Sequence, residues 1–283
     1  MLKTGKELLL DAQKNRYAVG AFNVNNMEIV QAIISAAEEL NSPVVLQASQ
    51  GGLGYAGVEY IASLGKLAGR NANVPVALHL DHGTDFKQIV QCIRHGFTSV
   101  MIDASKYPLE ENIAYTKKVV EIAHAAGVTV EAELGKISGT EDDISVDERD
   151  ATFTDPDEAR YFVDETDVDY LAIAVGTAHG VYKGEPKLDY DRIKAIRQKV
   201  DAPLVLHGSS GVPAESLKKA IPLGICKINI DTDIRATFAQ AVKEYLEDNP
   251  DQIDPRKILG PATEAMKRTI MDKMKIFGSN NRA

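Results

Sequence analysis

The sequence has few cysteines, no long apolar run and no excess of positive charge. Its two cysteines, Cys92 and Cys226, lie far apart and form no CxxC pattern, which favours a reduced, cytoplasmic setting over a disulfide framework. The apolar run Leu8 to Leu10 falls far short of the roughly 18 residues of a membrane span, and it is also too short for a signal-peptide core. We therefore expect a protein without a membrane segment or structural disulfides.

The charge balance excludes further classes of partner. The chain has 32 Lys and Arg residues against 41 Asp and Glu residues, a formal net charge of -9. Such an acidic surface argues against binding to nucleic acids or to anionic membranes. An acidic protein that binds phosphorylated metabolites needs a local site that attracts phosphate.

Short apolar runs alternate with segments of helical period along the chain. Eight runs are candidate strands, and helical segments such as Met27–Leu40 and Asn112–Ala126 separate them. This alternation predicts an α/β protein with parallel strands, and eight strands in 283 residues favour a single (β/α)8 TIM barrel over residues 1–283. A doubly wound sheet also alternates in this way. The eight candidate strands are Ala18–Asn23, Val44–Ala48, Val74–Leu80, Ser99–Ile102, Val128–Ala132, Tyr170–Val175, Leu204–Leu206 and Lys227–Ile230.

Two segments interrupt the alternation. Residues 134–158 are long, polar and contain glycine, which is typical of a functional or mobile loop. The tail after Asp231 is mostly helical, with predicted helices at Ile234–Leu246 and Pro261–Phe277. These additional C-terminal helices exceed a minimal barrel, so we expect them to pack across it or to contact a neighbouring subunit.

Reactive side chains cluster at the ends of the predicted strands, where barrels of this type carry their chemistry. Three of them are histidines followed by glycine: His82 after the third strand, His179 after the sixth and His207 at the end of the seventh. Three neutral imidazoles that leave one position open are typical of a catalytic zinc site. Each histidine alone would more simply be a satisfied core group, but the repeated pattern favours a metal site. The other strand-end groups are His79, Asp81, Asp103, Glu131, Glu133, Asn229 and Asp231.

A second pattern predicts a phosphate site. Gly208, Ser209, Ser210 and Gly211 follow the seventh strand, and residues 229–232 lead from the eighth strand into a helix. The loops after strands seven and eight are the usual phosphate site of this fold, where backbone N–H groups and a helix N-terminus face the anion. Thr232 alternatively acts only as the cap of that helix.

These motifs together resemble one enzyme family. The strings LHLDHG, EAELGKISGTEDD, VGTAHGVYKGEPKLD, LVLHGSSG, KINIDTD and DPRKILGP are similar to those of class II fructose-1,6-bisphosphate and tagatose-1,6-bisphosphate aldolases, in order and over nearly the whole chain. Some members have GGTG or GGSG where this chain has GSSG, and both versions supply backbone donors. The resemblance implies soluble sugar phosphates as substrates and a homodimer or homotetramer.

The resemblance implies a metal site with two positions. Zn2+ would be bound by His82, His179 and His207, which match the three zinc histidines of the family. Asp103 and Glu133 match residues near an alternative metal position.

The resemblance also implies proton-transfer and substrate-binding residues. Asp81 corresponds to the catalytic aspartate of the family, and Glu141 corresponds to a loop glutamate that transfers the proton at the dihydroxyacetone phosphate carbon. Arg256 corresponds to an arginine that binds the second phosphate. Contacts to phosphate, to dihydroxyacetone phosphate and to a monovalent cation, Na+ or K+, correspond to Asn23, Ser49, Gly180, Lys183, Gly208, Ser210, Asn229, Asp231 and Thr232.

Alternatives remain at the level of the sequence. Aldol cleavage needs a stabilised carbanion, which either a Lewis-acid metal or an imine with a lysine can provide. The candidate lysine, Lys227, starts the eighth predicted strand and is interpreted as an edge residue. A zinc deaminase would need a His-x-His pair on the first strand, which reads GAFNVN. A non-catalytic metabolite-binding barrel is opposed by the intact candidate residues, and the motifs do not separate fructose from tagatose bisphosphate, although the tail resembles the fructose branch.

Overall fold

The predicted barrel is confirmed in a computed structural model of the chain. Residues 1–141, 144–147, 151–180, 182, 184 and 186–283 are described. Eight parallel strands close into a barrel in the order β1-β11-β10-β8-β5-β4-β3-β2, and a small second sheet has the order β7-β6-β9. The eight barrel strands coincide with the eight predicted runs to within a few residues. The strands are β1 Val19–Asn23, β2 Val44–Ser49, β3 Val76–Gly83, β4 Ser99–Ile102, β5 Thr129–Leu134, β6 Ser138–Glu141, β7 Ile144–Val146, β8 Tyr170–Ile173, β9 Ala178–His179, β10 Leu204–Leu206 and β11 Ile225–Ile230.

Helices follow the barrel strands and cover the outside of the sheet. Within the described residues no helix is both long enough and apolar enough to cross a membrane. The helices are α1 Gly5–Asn15, α2 Met27–Glu39, α3 Gln50–Ala56, α4 Val58–Asn71, α5 Phe86–His95, α6 Leu109–Ala125, α7 Pro156–Thr166, α8 Tyr190–Lys199, α9 Ala214–Ala220, α10 Thr232–Asp248 and α11 Pro255–Phe277, with a short 3-10 turn at Ile221–Leu223.

Alternate residues of each strand belong to different layers of the core. Leu46, Leu78 and Ile228 pack with the surrounding helices in a large outer cluster. Val45 and Ala77, their neighbours on the same strands, belong to a separate inner cluster. Side chains of a strand alternate between its two faces, so the inner cluster fills the barrel and the outer cluster seals the helices onto it.

The N-terminal helix α1 closes the bottom of the barrel. Its start is fixed by a capping box in which Thr4 and Glu7 satisfy each other's backbone N–H groups. Leu8, Leu9 and Ala12 on its apolar face belong to the inner cluster. The lower end of the barrel is thus filled with hydrocarbon, which leaves the upper end for chemistry.

The C-terminal helices extend the ring of helices around the barrel. Helix α11 begins at Pro255, six residues before the predicted start at Pro261, because Asp254 caps it and proline is tolerated in the first turn. Met266, Ile270 and Met274 of this helix are buried in the outer cluster. The tail therefore packs across the barrel, as one of the two sequence interpretations expected.

The long polar segment 134–158 contains structure of its own. Strands β6 and β7 pair antiparallel within it, and β6 pairs in parallel with β9, where Gly139 lies opposite His179. The segment is therefore attached to the strand end that carries one of the candidate metal histidines.

Candidate active site

The end of strand β3 departs from regular geometry where the sequence reads Asp81-His82-Gly83. The register with β4 shifts between Leu80 and Gly83, and His82 has a left-handed backbone with φ 47°. Successive residues of a regular strand point to opposite faces, but a bulge changes the direction of one side chain. Asp81 and His82 are consecutive, yet both are buried and both face the upper interior of the barrel.

The glycines of two His-Gly pairs are required by neighbouring backbone. A Cβ on Gly83 would clash with the carbonyl oxygen of Met101. Gly208 has φ +59°, and a Cβ there would lie 2.5 Å from the carbonyl oxygen of Ala178. At both positions the absence of a Cβ therefore allows the close approach of an adjacent strand end.

The three predicted metal histidines converge above the barrel. One ring nitrogen each of His82, His179 and His207 lies within 4.8 Å of the other two. The ring centroid of His82 lies 4.6 Å from that of His207 and 5.0 Å from that of His179. Nitrogens bound to a tetrahedral zinc at about 2.0–2.1 Å lie about 3.4 Å apart, so the cluster is close to the size that a zinc ion requires.

Carboxylates hold the outer ring nitrogens of two of these histidines. His82 Nδ1 donates to Asp103 Oδ2 at 2.9 Å, and His207 Nε2 donates to Glu131 Oε1 at 2.6 Å. The facing nitrogens, His82 Nε2 and His207 Nδ1, are 2.8 Å apart. Burial lowers the pKa of His207, which favours neutral imidazole. A metal ion between the two facing nitrogens would take one lone pair from each ring.

A second group of potential ligands lies next to the first. His82, Asp103 and Glu133 also bring their ligand atoms within 4.8 Å of one another. Burial alone would raise the pKa of Asp103, but hydrogen bonds from His82 and Ser105 outweigh it and hold that pKa well below its usual range. Asp103 is therefore an anion at neutral pH, which suits a metal site.

Asp81 is fully buried and is held by amides. Its Oδ2 accepts hydrogen bonds from Asn23 Nδ2 at 3.2 Å and from Gln47 Nε2 at 3.0 Å, and its Oδ1 accepts one from Asn229 Nδ2 at 3.1 Å. Asn229 Nδ2 also lies 3.4 Å from His207 Nδ1. The carboxylate thus lies beside the histidine cluster in a fixed orientation.

A small cavity opens beside the histidines at the ends of β10 and β11. It combines backbone of two loops with the N-terminus of α10, which is the geometry of an anion site. Nearly all of its lining residues were predicted from the sequence, and Arg235 is the addition. The lining residues are Asn23, His179, Gly180, Gly208, Ser209, Ser210, Asn229, Asp231, Thr232 and Arg235.

Side chains at this cavity organise its two loops. Ser210 Oγ accepts hydrogen bonds from the backbone N–H groups of Asp231 and Asp233, at 3.2 and 3.4 Å. Thr232 is the first residue of α10 and the N-cap is Asp231, so the interpretation of Thr232 as the cap is wrong. Arg235 forms an ion pair with Asp231, which places a cation at the cavity of this acidic protein.

Tyr182 joins the segment after β9 to the loop after β10. Its hydroxyl accepts a hydrogen bond from the Ala178 N–H and donates one to the Gly208 carbonyl, at 2.8 and 2.7 Å. This bridge holds the His179 segment against the glycine loop.

Four predicted site residues lie elsewhere or outside the described part. Ser49 is buried and caps α3 through the Gly52 N–H. Arg256 is not part of the cavity lining; its guanidinium is 89% exposed and pairs with Asp254. Lys183 and the side chain of Glu141 lie outside the described residues.

The sequence interpretation of Lys227 is wrong. Lys227 is 1% exposed and lies inside the barrel, where its Nζ forms an ion pair with Glu131 at 2.8 Å. The signal for this interior network was the period of two on three strands, which places His79 with Asp81, Glu131 with Glu133 and Lys227 with Asn229 on the same face.

The chain matches known proteins over its full length. Residues 3–282 match the family model described as fructose-bisphosphate aldolase class-II. A fructose-bisphosphate aldolase from Thermus caldophilus is 50% identical over the whole of both chains, and one from Staphylococcus aureus is 48% identical over 98% of each. The crystal structure of the YdjI aldolase from Escherichia coli K12 aligns over the whole of both chains with a TM-score of 0.88 and 38% identity. The family match over residues 3–282 and the identity to these relatives show that the chain belongs to the class-II fructose-bisphosphate aldolase family of lyases.

Proposed function

We propose that the chain catalyses the reversible, zinc-dependent cleavage of fructose 1,6-bisphosphate to dihydroxyacetone phosphate and glyceraldehyde 3-phosphate. The observation that carries the proposal is the convergence of His82, His179 and His207 beside Asp81 and a cavity at the N-terminus of α10. Relatives at 48–50% identity bear the name fructose-bisphosphate aldolase, which favours the fructose isomer over the tagatose isomer.

The donor set fits a divalent zinc ion. Three imidazoles suit zinc, and the carboxylates of Asp103 and Glu131 fix the orientation of two of the rings, with the other nitrogen of each ring facing the cluster. Bound there, zinc supplies a Lewis acid that polarises the substrate ketone and lowers the energy of the carbanion that cleavage creates.

Asp81 is the general base of the proposed reaction. It removes the proton of the C4 hydroxyl while the C3–C4 bond breaks. The electron pair of that bond stays on C3, and C4 leaves as the aldehyde carbon. The amides of Asn23, Gln47 and Asn229 keep the carboxylate aimed before substrate arrives. Glu141 then protonates C3; its strand β6 is attached to the His179 strand, which supports this role.

The cavity at α10 binds a phosphate of the substrate. Backbone N–H groups of the Gly208–Gly211 loop and the N-terminus of α10 offer hydrogen bonds, and Arg235 supplies positive charge. We propose that Gly180, Gly208 and Ser210 also hold a monovalent cation, Na+ or K+, and that Lys183 acts near this site. The ketone end of the substrate is thereby fixed next to the histidines.

We further propose that the protein is a cytoplasmic homodimer or homotetramer. Both cysteines are free and buried, which suits a reducing compartment. Arg256 lies on the exposed start of α11, apart from the cavity. We propose that Arg256 binds a second substrate phosphate, either in its own subunit or in a neighbouring one.

The proposal is tested with purified protein in a coupled assay. Cleavage of fructose 1,6-bisphosphate and of tagatose 1,6-bisphosphate is measured side by side, before and after removal of metal with a chelator. We expect activity on the fructose isomer to be lost with the metal and restored by zinc. A larger kcat/KM on the tagatose isomer would reassign the substrate within the family. Activity that survives chelation, or borohydride trapping of substrate on Lys227, would refute the metal mechanism.

A further inference from the structure

A buried ion pair lies one layer deeper in the barrel than the histidine cluster. Lys227 and Glu131 are 1% and 0% exposed, and Lys227 Nζ lies 2.8 Å from Glu131 Oε2. Each residue precedes by two positions a residue of the site above, Asn229 on β11 and Glu133 on β5. The pair is therefore placed to act on the site from below.

Stability alone does not account for this pair. Removing two charges from water costs several kcal/mol per ion, and apolar side chains of similar volume often stabilise an interior as well or better. The neighbouring interior residues Val19, Val45 and Val205 show that the barrel can be filled by hydrocarbon. A charged pair at this position calls for a role in the site.

Glu131 connects the lysine to a candidate metal ligand. Its Oε2 faces Lys227, while its Oε1 accepts the Nε2–H of His207 at 2.6 Å. The same Oε2 lies 3.4 Å from His79 Nε2, and His79 Nδ1 is held by Ser99 Oγ at 2.7 Å. The carboxylate is thus fixed by a cation on one oxygen and by an imidazole on the other.

We propose that Lys227 is a positioning residue for the metal site and acts through Glu131 on His207. Its ammonium compensates the charge of the buried carboxylate and fixes its rotamer, and the carboxylate then fixes His207 with Nδ1 turned toward the metal. This inference rests on the proposed zinc site. Partners of metal-binding histidines typically contribute about 10- to 100-fold to metal affinity, and we assign Lys227 an effect of that size.

The test measures zinc affinity and the state of the His207 ring. Zinc dissociation constants of wild type and Lys227→Met are determined by competition with a chromophoric chelator. In the metal-free proteins, ring 15N–1H correlations report which His207 nitrogen carries the proton. We expect an affinity loss of roughly 10- to 100-fold and a weakened Nε2–H signal in the variant.

Three further variants keep the test decisive. The double variant Glu131→Gln/Lys227→Met removes both charges, so it avoids an unpaired buried carboxylate and folds more readily than Lys227→Met alone. If the pair acts as one unit, the double variant loses about as much zinc affinity as Glu131→Gln alone. Val205→Ala, a buried interior substitution without polar contacts, controls for a general loss of packing and should bind zinc as wild type does.

The outcomes separate this inference from the proposed function. If wild type binds zinc and the folded lysine variants bind it within about twofold of wild type, the positioning role is refuted while the metal site stands. If wild type binds no zinc at the three histidines, the metal site and the positioning role are both refuted. A loss confined to Glu131→Gln, with Lys227→Met unchanged, assigns the effect to Glu131 alone and overturns the role of the lysine.

Discussion

The lower and upper halves of the barrel interior are built from the same strands but differ in chemistry. In the lower half, Val19, Val45 and Ala77 pack against Leu9 of α1 in a dry apolar cluster. In the upper half, the same strand faces continue with Asn23, Gln47, His79 and Asp81, all of them buried. A shift of two to four residues along a strand thus separates the part that holds the barrel together from the part that carries function.

The upper half keeps polar atoms that the protein itself does not satisfy. Within the described part of the chain, the buried Oε1 of Gln47, Oδ1 of Asn229 and Nε2 of His79 have no hydrogen-bond partner. Each such atom costs about 1–3 kcal/mol. Two of the three belong to amides that orient Asp81, and one of these, Asn229, lines the cavity beside the histidines.

The largest expected effect comes from removing one histidine of the upper cluster. His82→Ala removes a ligand of the proposed zinc site and leaves Asp103 without the imidazole that donates to it. Lewis-acid polarisation lowers the activation barrier by several kcal/mol, so kcat/KM should fall by about 10³-fold or more when the metal is lost. Zinc content after dialysis should fall in parallel. A variant that retains both stoichiometric zinc and near-normal activity would contradict the assignment.

A smaller effect is expected from Asp81→Ala. Loss of a general base typically lowers the rate by about 10²- to 10⁴-fold. Zinc affinity should stay close to that of wild type, because the carboxylate is held by Asn23, Gln47 and Asn229. Steady-state kinetics and zinc titration measured on one preparation separate the two roles. Loss of zinc together with activity would show that Asp81 supports the metal rather than the proton transfer.

The lower half should respond in the opposite way. Leu9→Ala opens a cavity at a fully buried residue of the bottom cluster, which should lower the free energy of unfolding by about 2–5 kcal/mol. Zinc affinity and kcat should remain within about twofold of wild type at temperatures where the variant is folded. Urea unfolding and kinetics check both statements. A strong loss of kcat in the folded variant would break the division between the halves.

The smallest effect concerns pH and His79. Burial lowers the pKa of His79 well below its usual range, with Lys227 contributing. As the pH falls below about 6.5, the unfolded chain takes up a proton at this residue that the folded chain does not, so stability falls. His79→Gln should flatten this dependence by up to about 1.4 kcal/mol per pH unit between pH 6.5 and 5. Urea unfolding of the metal-free wild type and variant across this pH range measures the free energy of unfolding. The same slope of this free energy against pH in both proteins would contradict the prediction.

Much of the fold could be predicted from the sequence. Parallel strands that helices cover are buried on both faces, so each appears in the sequence as a short continuous run of apolar residues. The eight barrel strands lie close to the predicted runs, and His82, His179 and His207 converge as expected. The strand bulge that turns Asp81 and His82 into one site depends on contacts with β4, so no local pattern shows it.

The interior position of Lys227 was missed for a different reason. A lysine at the start of a strand is usually exposed, and its burial depends on the carboxylate of Glu131, which lies on β5 across the barrel. Period-two reading of β3, β5 and β11 would have placed both residues inside. The phosphate contact of Arg256 stays a prediction, because its exposed side chain pairs with Asp254 in the isolated chain.

X-ray absorption at the zinc edge of the purified protein tests the central claim most directly. The upper half of the barrel should hold about one zinc per chain, with three imidazole nitrogens at about 2.0–2.1 Å. The fourth ligand should be an oxygen that does not come from the protein. The imidazole scattering should be reduced in His82→Ala. A protein that binds no zinc, or a zinc with sulfur from Cys92 or Cys226 among its ligands, would contradict the account.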